Sequence, residues 1–139
     1  MTGTADPRRT VPSEATPTVL AFLVVLLTPA LAWVLWVFAP GQSQSDAAHI
    51  GWFGTVALGC LLAGRLARPR GARFAVLCLV AVVVTLVTLF LWWSAADETG
   101  LFVIGIGLAV LPVVFAAPVL VGLGGRLGRP ERQPGAPRQ

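Results

Sequence analysis

The chain has 139 residues, of which 56% are hydrophobic and 12% are charged. Soluble globular domains usually carry about 25% charged residues, so this composition excludes an ordinary water-soluble domain, and the length excludes two domains. The net charge of +4 includes ten arginines and no lysine, and because the arginines lie beside apolar runs, we expect anionic lipid headgroups as their partners and no nucleic acid.

The first 38 residues divide into a polar tail and an apolar run. Residues 1–17 carry three prolines and little apolar surface, which predicts a disordered cytoplasmic tail. The run over 19–38 predicts a transmembrane helix, because about 20 apolar residues span a bilayer. It is longer than the apolar region of a signal peptide, so we expect it to remain uncleaved, although the sequence ALA near its middle resembles a signal-peptidase site. Pro29 removes a backbone donor and predicts a kink, with Thr28 helping to satisfy the loosened turn.

Three further apolar runs follow, and each predicts a transmembrane helix. These helices are expected over residues 50–67, 74–93 and 101–123. The connection 39–49 holds one acid and no arginine, and the connection 94–100 holds two acids and no base. The chain is therefore expected to be an all-α integral membrane protein. Residues 18–124 would form four transmembrane helices in an antiparallel bundle, followed by a disordered basic tail over 125–139.

The arginines divide the chain into two sides. Two lie in the N-terminal tail, four around the turn between helices two and three, and four at the C-terminus, whereas the other two connections hold none. This pattern predicts that both termini are cytoplasmic in a bacterial plasma membrane. The five tryptophans fall near the opposite interface, which favours the same topology. The arginines expected to meet lipid headgroups are Arg65, Arg68, Arg70, Arg73, Arg126 and Arg129.

A short motif occurs at the ends of helices two and four. Residues 62–69 read LAGRLARP and residues 123–130 read LGGRLGRP, with six of eight positions identical. One interpretation is a duplicated helical hairpin, whose copies are related by an axis along the membrane normal. The other is shared helix-end chemistry, in which glycine ends the helix, arginine meets the helix C-terminus and proline prevents continuation. The sequence leaves both interpretations open.

Small residues mark the expected packing face of helix two. Gly51, Thr55, Gly59 and Ala63 recur at every fourth position, so they share one side of the helix. Helices in lipid associate through close packing of such residues, because lipid is as apolar as leucine. We therefore expect this face to pack against another helix or a partner, and Gly59→Leu to be more damaging than Leu58→Ala.

Helix four is expected to be kinked. The residues that loosen it are Gly105, Gly107, Pro112 and Pro118. Its prolines leave the carbonyls of Leu108 and Val114 without their helical donors, and these carbonyls could line a polar site, as in transporters with broken helices. The alternative is a kink whose carbonyls are covered by neighbouring helices. We favour the alternative, because no charged partner lies near these positions in the sequence.

Groups for enzymatic chemistry are sparse. No ionisable residue lies in the core of a predicted span, which argues against a proton-coupled transporter that needs a membrane carboxylate. His49 and Asp46 lie in an expected external connection, where a solvated histidine is a better interpretation than a general base. Asp97 and the acid after it could bind a cation, but a solvated loop that helps to set topology is favoured. We expect no catalytic residue, no metal site and no cofactor.

The two cysteines lie in apolar runs. Cys60 and Cys78 have neither the CxxC spacing of a redox motif nor accompanying ligands for a metal. A redox or lipidation pair is one interpretation, but buried cysteines usually behave as small hydrophobes.

These features together favour a non-enzymatic role. We expect an accessory, scaffold or regulatory subunit that packs with itself or with a larger membrane complex. The alternative is an oligomeric transporter or channel for a small apolar or weakly polar solute. A membrane enzyme is a more distant alternative.

Overall fold

The computed structural model describes residues 15–38 and 45–128 of the chain. These residues form four long helices and no strand: α1 (Ala15–Trp33), which continues as a π-helix (Val34–Phe38), α2 (Asp46–Ala67), α3 (Ala72–Ala96) and α4 (Phe102–Leu127). Each helix is long and apolar enough to cross a membrane, which confirms the prediction of an all-α, multi-pass membrane protein. Most of the predicted N-terminal tail, most of the predicted C-terminal tail with Arg129, and part of the first connection lie outside the described residues.

α2 begins four residues before the position predicted from the apolar run. Ser45 is its N-cap, and the Ser45 side chain accepts a hydrogen bond from the backbone N–H of Ala48 at 3.1 Å. Asp46 follows in the first turn, where its charge complements the positive end of the helix. The last four residues of the expected external connection are therefore helical, and His49 is one of them.

The turn after α2 uses a non-glycine residue in the left-handed region. Arg68 has φ 43° and ψ 50°, and its N–H donates to the carbonyl of Gly64. This residue is the C-cap, and Pro69 behind it cannot continue the helix. Gly64 itself lies inside the helix, so the prediction that the motif glycine ends the helix is wrong here.

Asp97 organises the connection from α3 to α4. Its Oδ1 atom accepts hydrogen bonds from the backbone N–H of Thr99 at 2.7 Å and from the Thr99 hydroxyl at 2.6 Å. Its other carboxylate oxygen accepts from the N–H of Phe102, the first residue of α4. These hydrogen bonds, the Thr99 hydroxyl first among them, lower the pKa of Asp97. The carboxylate thus caps α4, which is a structural role in place of simple solvation.

The middle of α1 carries Pro29, and the chain is α-helical on both sides of it. The Thr28 hydroxyl donates to the carbonyl of Val24 at 2.6 Å. The indole N–H of Trp52, which is fully buried, donates to the carbonyl of Pro29 at 2.9 Å. A tryptophan from α2 is therefore fixed against the proline segment of α1 by packing and by a hydrogen bond.

The helices form a ring in the order α1, α2, α4, α3. α2 packs against α1 and α4, and α3 packs against the same two helices. Helices that follow one another in the chain run antiparallel, so the neighbouring pairs α1–α3 and α2–α4 run parallel. The two hairpins lie side by side. A two-fold axis along the membrane normal would place α1 and α3 at opposite corners, whereas they are neighbours, so a two-fold axis does not relate the hairpins.

Two buried clusters fill the interior. One lies toward the α2–α3 turn and contains both cysteines with Ala63, Leu77 and Val121. The other lies at the opposite end and contains Trp52, Leu89 and Trp92. Large apolar side chains cover the outside of all four helices, as expected where lipid is the solvent.

Candidate functional site

On the small-residue face of α2, Gly51 and Thr55 lie against Trp36, in the π-helix that continues α1. The Trp36 ring lies directly over Gly51, so that a methyl group there would overlap the indole. The Trp36 N–H donates to the Thr55 hydroxyl at 3.0 Å, and that hydroxyl donates to the carbonyl of Gly51 at 2.8 Å. The glycine leaves space for the ring, and the threonine supplies the acceptor that an indole requires in an apolar setting.

Two turns further along the same face, Gly59 lies against Thr28 of α1. A Cβ built on Gly59 would lie 2.7 Å from Cγ2 of Thr28 and 2.8 Å from its hydroxyl oxygen. Ala63, one turn further, is fully buried. The four predicted residues therefore lie between α1 and α2, inside one protomer, and this face is not available to a separate partner.

A closer crossing joins α2 to α4. A Cβ added at Gly64 would overlap the backbone carbonyl oxygen of Val121, and one added at Gly124 would overlap that of Leu61. The contact is reciprocal, because each glycine faces the carbonyl three residues before the other glycine. Such an approach brings two helix backbones into contact and permits Cα–H···O interactions across the interface.

Sequence reasoning missed this crossing, although its residues belong to the repeated motif. We expected helix four to end at residue 123 and the tail to begin at 125, because glycine often ends a helix. α4 instead continues through Gly124 and Arg126 to Leu127. Gly124 lies inside the helix, at the point where α2 approaches so closely that a side chain would not fit. The sequence feature that indicates such a crossing is the pair Gly124 and Gly128, because small residues four positions apart are typical of closely packed membrane helices.

The four residues predicted to loosen α4 do not form a common site within the protomer. Gly105 lies against the ring of Trp93, whereas Gly107 has open space where a side chain would be. Pro112 is exposed and Pro118 is half-buried. Leu108, whose carbonyl Pro112 leaves without a helical donor, has 73% of its surface exposed.

Four arginines line a crevice of about 950 Å³ at the end of the bundle that holds the α2–α3 turn. They are Arg65, Arg68, Arg70 and Arg73. Pro17 and Thr18 of α1 form the facing wall, and Leu62 and Leu66 of α2 supply apolar surface. Arg126 lies outside this lining, although it was predicted to share the same role.

An apolar groove of about 550 Å³ lies between the final turns of α1 and α3. Its lining includes Trp33 and Val37 on one side and Leu91 and Trp92 on the other. The indole N–H of Trp33 is buried and has no hydrogen-bond partner among the described residues. A buried donor without an acceptor costs roughly 1–3 kcal/mol.

His49 lies against the tryptophans of α3 and is not a solvated loop residue, which corrects the expectation for it. Its ring stacks on Trp92 with 4.6 Å between centroids and an interplanar angle of 18°. Its Nδ1 atom lies 2.9 Å from the carbonyl oxygen of Ser45, one turn earlier. The ring therefore connects the start of α2 with the end of α3.

Groups for catalysis or metal binding are not gathered together in the described residues. Cys60 and Cys78 are both free and buried in the same apolar cluster. The described segments hold no group of three His, Cys, Asp or Glu side chains that could bind a metal ion. Comparison of the chain with known protein families, with characterised proteins and with solved structures finds no match.

Proposed function

We propose that the protein is a non-enzymatic accessory or scaffold subunit that holds a second membrane-protein chain against α4. The observation that carries this proposal is the uneven burial of the four helices. Seven residues of α2 and six of α3 are buried, whereas α4 buries only Ala117, Val121 and Gly124. All three lie in the second half of α4, and none of the residues in its first half is fully buried.

The outer side of α4 combines an apolar stripe with a gap in its backbone hydrogen bonding. Ile104, Leu108, Leu111 and Phe115 recur at helical spacing, and each has more than 60% of its surface exposed. Lipid covers such side chains as well as a protein does, so the stripe alone does not select a partner. The carbonyl of Leu108 is different, because Pro112 provides no donor for it and lipid tails have none to offer. A partner helix with a hydroxyl or amide side chain would supply that donor.

Site-specific photocrosslinking in native membranes tests this proposal. A photoreactive residue at Leu108 should give one discrete protein adduct, either a second copy or another membrane protein. The matched control is Leu79, which has a similar exposed fraction on α3. A discrete adduct at position 108 that is lost on Phe115→Ala would support α4 as the docking helix. Lipid adducts alone at both positions would refute it.

The alternative function is binding or transport of a small apolar or weakly polar solute by an oligomer. The apolar groove between the final turns of α1 and α3 supports it, because pockets for small ligands are mostly apolar, and the indole N–H of Trp33 in its lining has no partner among the described residues. Purified protein reconstituted alone into vesicles should then move such a solute, and Trp33→Phe, which keeps the ring but removes the donor, should reduce the rate. Accessory subunits would show no flux alone.

The same proposal includes a bacterial plasma membrane with cytoplasmic termini. All five described arginines belong to the end of the bundle where α2 and α4 finish, whereas the described acids Asp46, Asp97 and Glu98 belong to the other end. Positive residues are retained on the cytoplasmic side during insertion. A reporter domain inserted after Glu98 should be active only outside the cytoplasm, and cytoplasmic activity would refute this orientation.

A further inference from the structure

We infer that the crevice lined by Arg65, Arg68, Arg70 and Arg73 binds the phosphate groups of an anionic phospholipid, and that a headgroup with two phosphates fits it best. The inference does not depend on what α4 binds.

The crevice concentrates positive charge, and no acid among the described residues lies near it. The three described carboxylates, those of Asp46, Asp97 and Glu98, lie at the opposite end of helices roughly 30 Å long. Guanidinium groups present several N–H donors in a planar fork, which matches the paired oxygens of a phosphate. Phosphate oxygens are therefore suitable counter-charges for these four side chains.

The backbone of the α2–α3 turn brings these side chains into one lining. Arg68 is the only non-glycine residue with positive φ in the described segments, and Gly71, three positions later, has φ 57°. Two left-handed positions so close together reverse the chain within a few residues and place both helix ends around the same space. A non-glycine residue in this region costs free energy, roughly 1 kcal/mol, and such strain often accompanies ligand sites.

The remaining walls show which phosphate-bearing molecule fits. Leu62 is about half exposed and lies on α2, so the apolar wall of the crevice faces the lipid-covered side of that helix. A free phosphate ion would leave this wall in water. A phospholipid would cover the wall with its glycerol and acyl chains while its phosphate meets the arginines. The volume of about 950 Å³ exceeds that needed by one phosphate and accommodates a headgroup carrying two.

Lipid retention by the purified full chain in detergent tests the inference. The protein would be titrated with phosphatidylcholine, with phosphatidylglycerol and with diphosphatidylglycerol, and bound lipid counted by native mass spectrometry. We expect one diphosphatidylglycerol per chain, weaker retention of phosphatidylglycerol, and none of phosphatidylcholine. Arg70→Gln and Arg73→Gln should each weaken retention about tenfold, as expected for loss of a charge-assisted hydrogen bond. Arg70→Lys should fall between, because it keeps the charge but loses the fork.

The matched control is Arg126→Gln, which removes one positive charge from the same end of the bundle but outside the crevice lining. All three positions are exposed, so the variants should fold, which thermal melting would verify. Equal weakening by Arg126→Gln and Arg70→Gln would show general attraction to a charged surface and overturn the crevice. Complete displacement of the lipid by inorganic phosphate at the same phosphate concentration would assign the site to the free anion and overturn the lipid.

Discussion

A single methyl group at the α2–α4 crossing should separate the two helices. In Gly64→Ala the new Cβ would overlap the backbone carbonyl oxygen of Val121, and in Gly124→Ala it would overlap that of Leu61. A backbone carbonyl has no rotamer to change, so the helices must move apart by roughly an ångström before carbon and oxygen reach an ordinary van der Waals distance. Overpacking of this kind costs about 1–3 kcal/mol.

Two smaller terms change the size of this effect. Separation weakens the reciprocal Cα–H···O contacts, each worth about 0.5–1 kcal/mol. Alanine favours the helix over glycine by about 1 kcal/mol, which opposes the damage. The net expectation is a loss of about 1–3 kcal/mol for either variant. Because both changes open the same crossing, the double variant should lose less than the sum of the two single losses.

The free energy of unfolding in mixed micelles, measured by titration with sodium dodecyl sulfate, provides the assay. Gly122→Ala is the matched control two residues before Gly124, because nothing lies within 4 Å of its added methyl group. Gly54→Ala serves the same purpose on α2. Both controls should be neutral or more stable by up to about 1 kcal/mol. Crossing variants that are as stable as these controls would refute the close contact.

Three further changes probe the rest of the bundle. Gly59→Leu should lower the free energy of unfolding by roughly 3 kcal/mol or prevent folding, because Thr28 leaves no room for a side chain. Leu58→Ala changes a residue that is 67% exposed and should have little effect. Equal melting temperatures of the two variants would contradict the packing of Gly59 against α1. Because hydrogen bonds lower the pKa of Asp97, its cap should persist above the unfolded pKa of about 3.9 and be lost as the pH falls through the lower folded value. Asp97→Asn should therefore flatten the acid limb of a melting-temperature profile, and an unchanged limb would argue against the cap. His49→Ala should cost about 0.5–1.5 kcal/mol through the lost stack on Trp92, and an unaltered Trp92 fluorescence spectrum and melting temperature would contradict that contact.

The sequence was sufficient to predict the helices because a bilayer restricts a chain to few solutions. Every backbone group in hydrocarbon must be bonded within the protein, so long apolar runs become helices almost irrespective of their neighbours. The starts and ends of the helices depended on finer signals. Ser45 followed by Asp46 is a recognisable N-cap, but hydropathy alone places the start of α2 at Ile50 because it ignores capping.

Other features depend on which helices become neighbours, and sequence does not specify this. Glycine ends a helix in one context and permits close approach in another, and only the position of α2 beside α4 decides between them for Gly124. The same holds for His49, whose polar neighbours in the chain predict a solvated loop, whereas its ring stacks on Trp92. The sequence predicted that arginines cluster at this end of the bundle, but not which of them line the crevice. Arg126 has the same local sequence as Arg65 and yet lies outside the lining.

The register of the α2–α4 crossing argues against reading the repeated motif as a duplicated hairpin. At the crossing, Gly64 and Gly124 occupy equivalent positions, since each faces the carbonyl three residues before the other. The sequence repeat instead aligns Gly64 with Gly125. One residue rotates a position by about 100° around a helix, so a duplicated hairpin that kept its packing would not shift in this way. Both helices need a small residue to approach each other, and we favour this shared requirement over duplication as the origin of the aligned glycines.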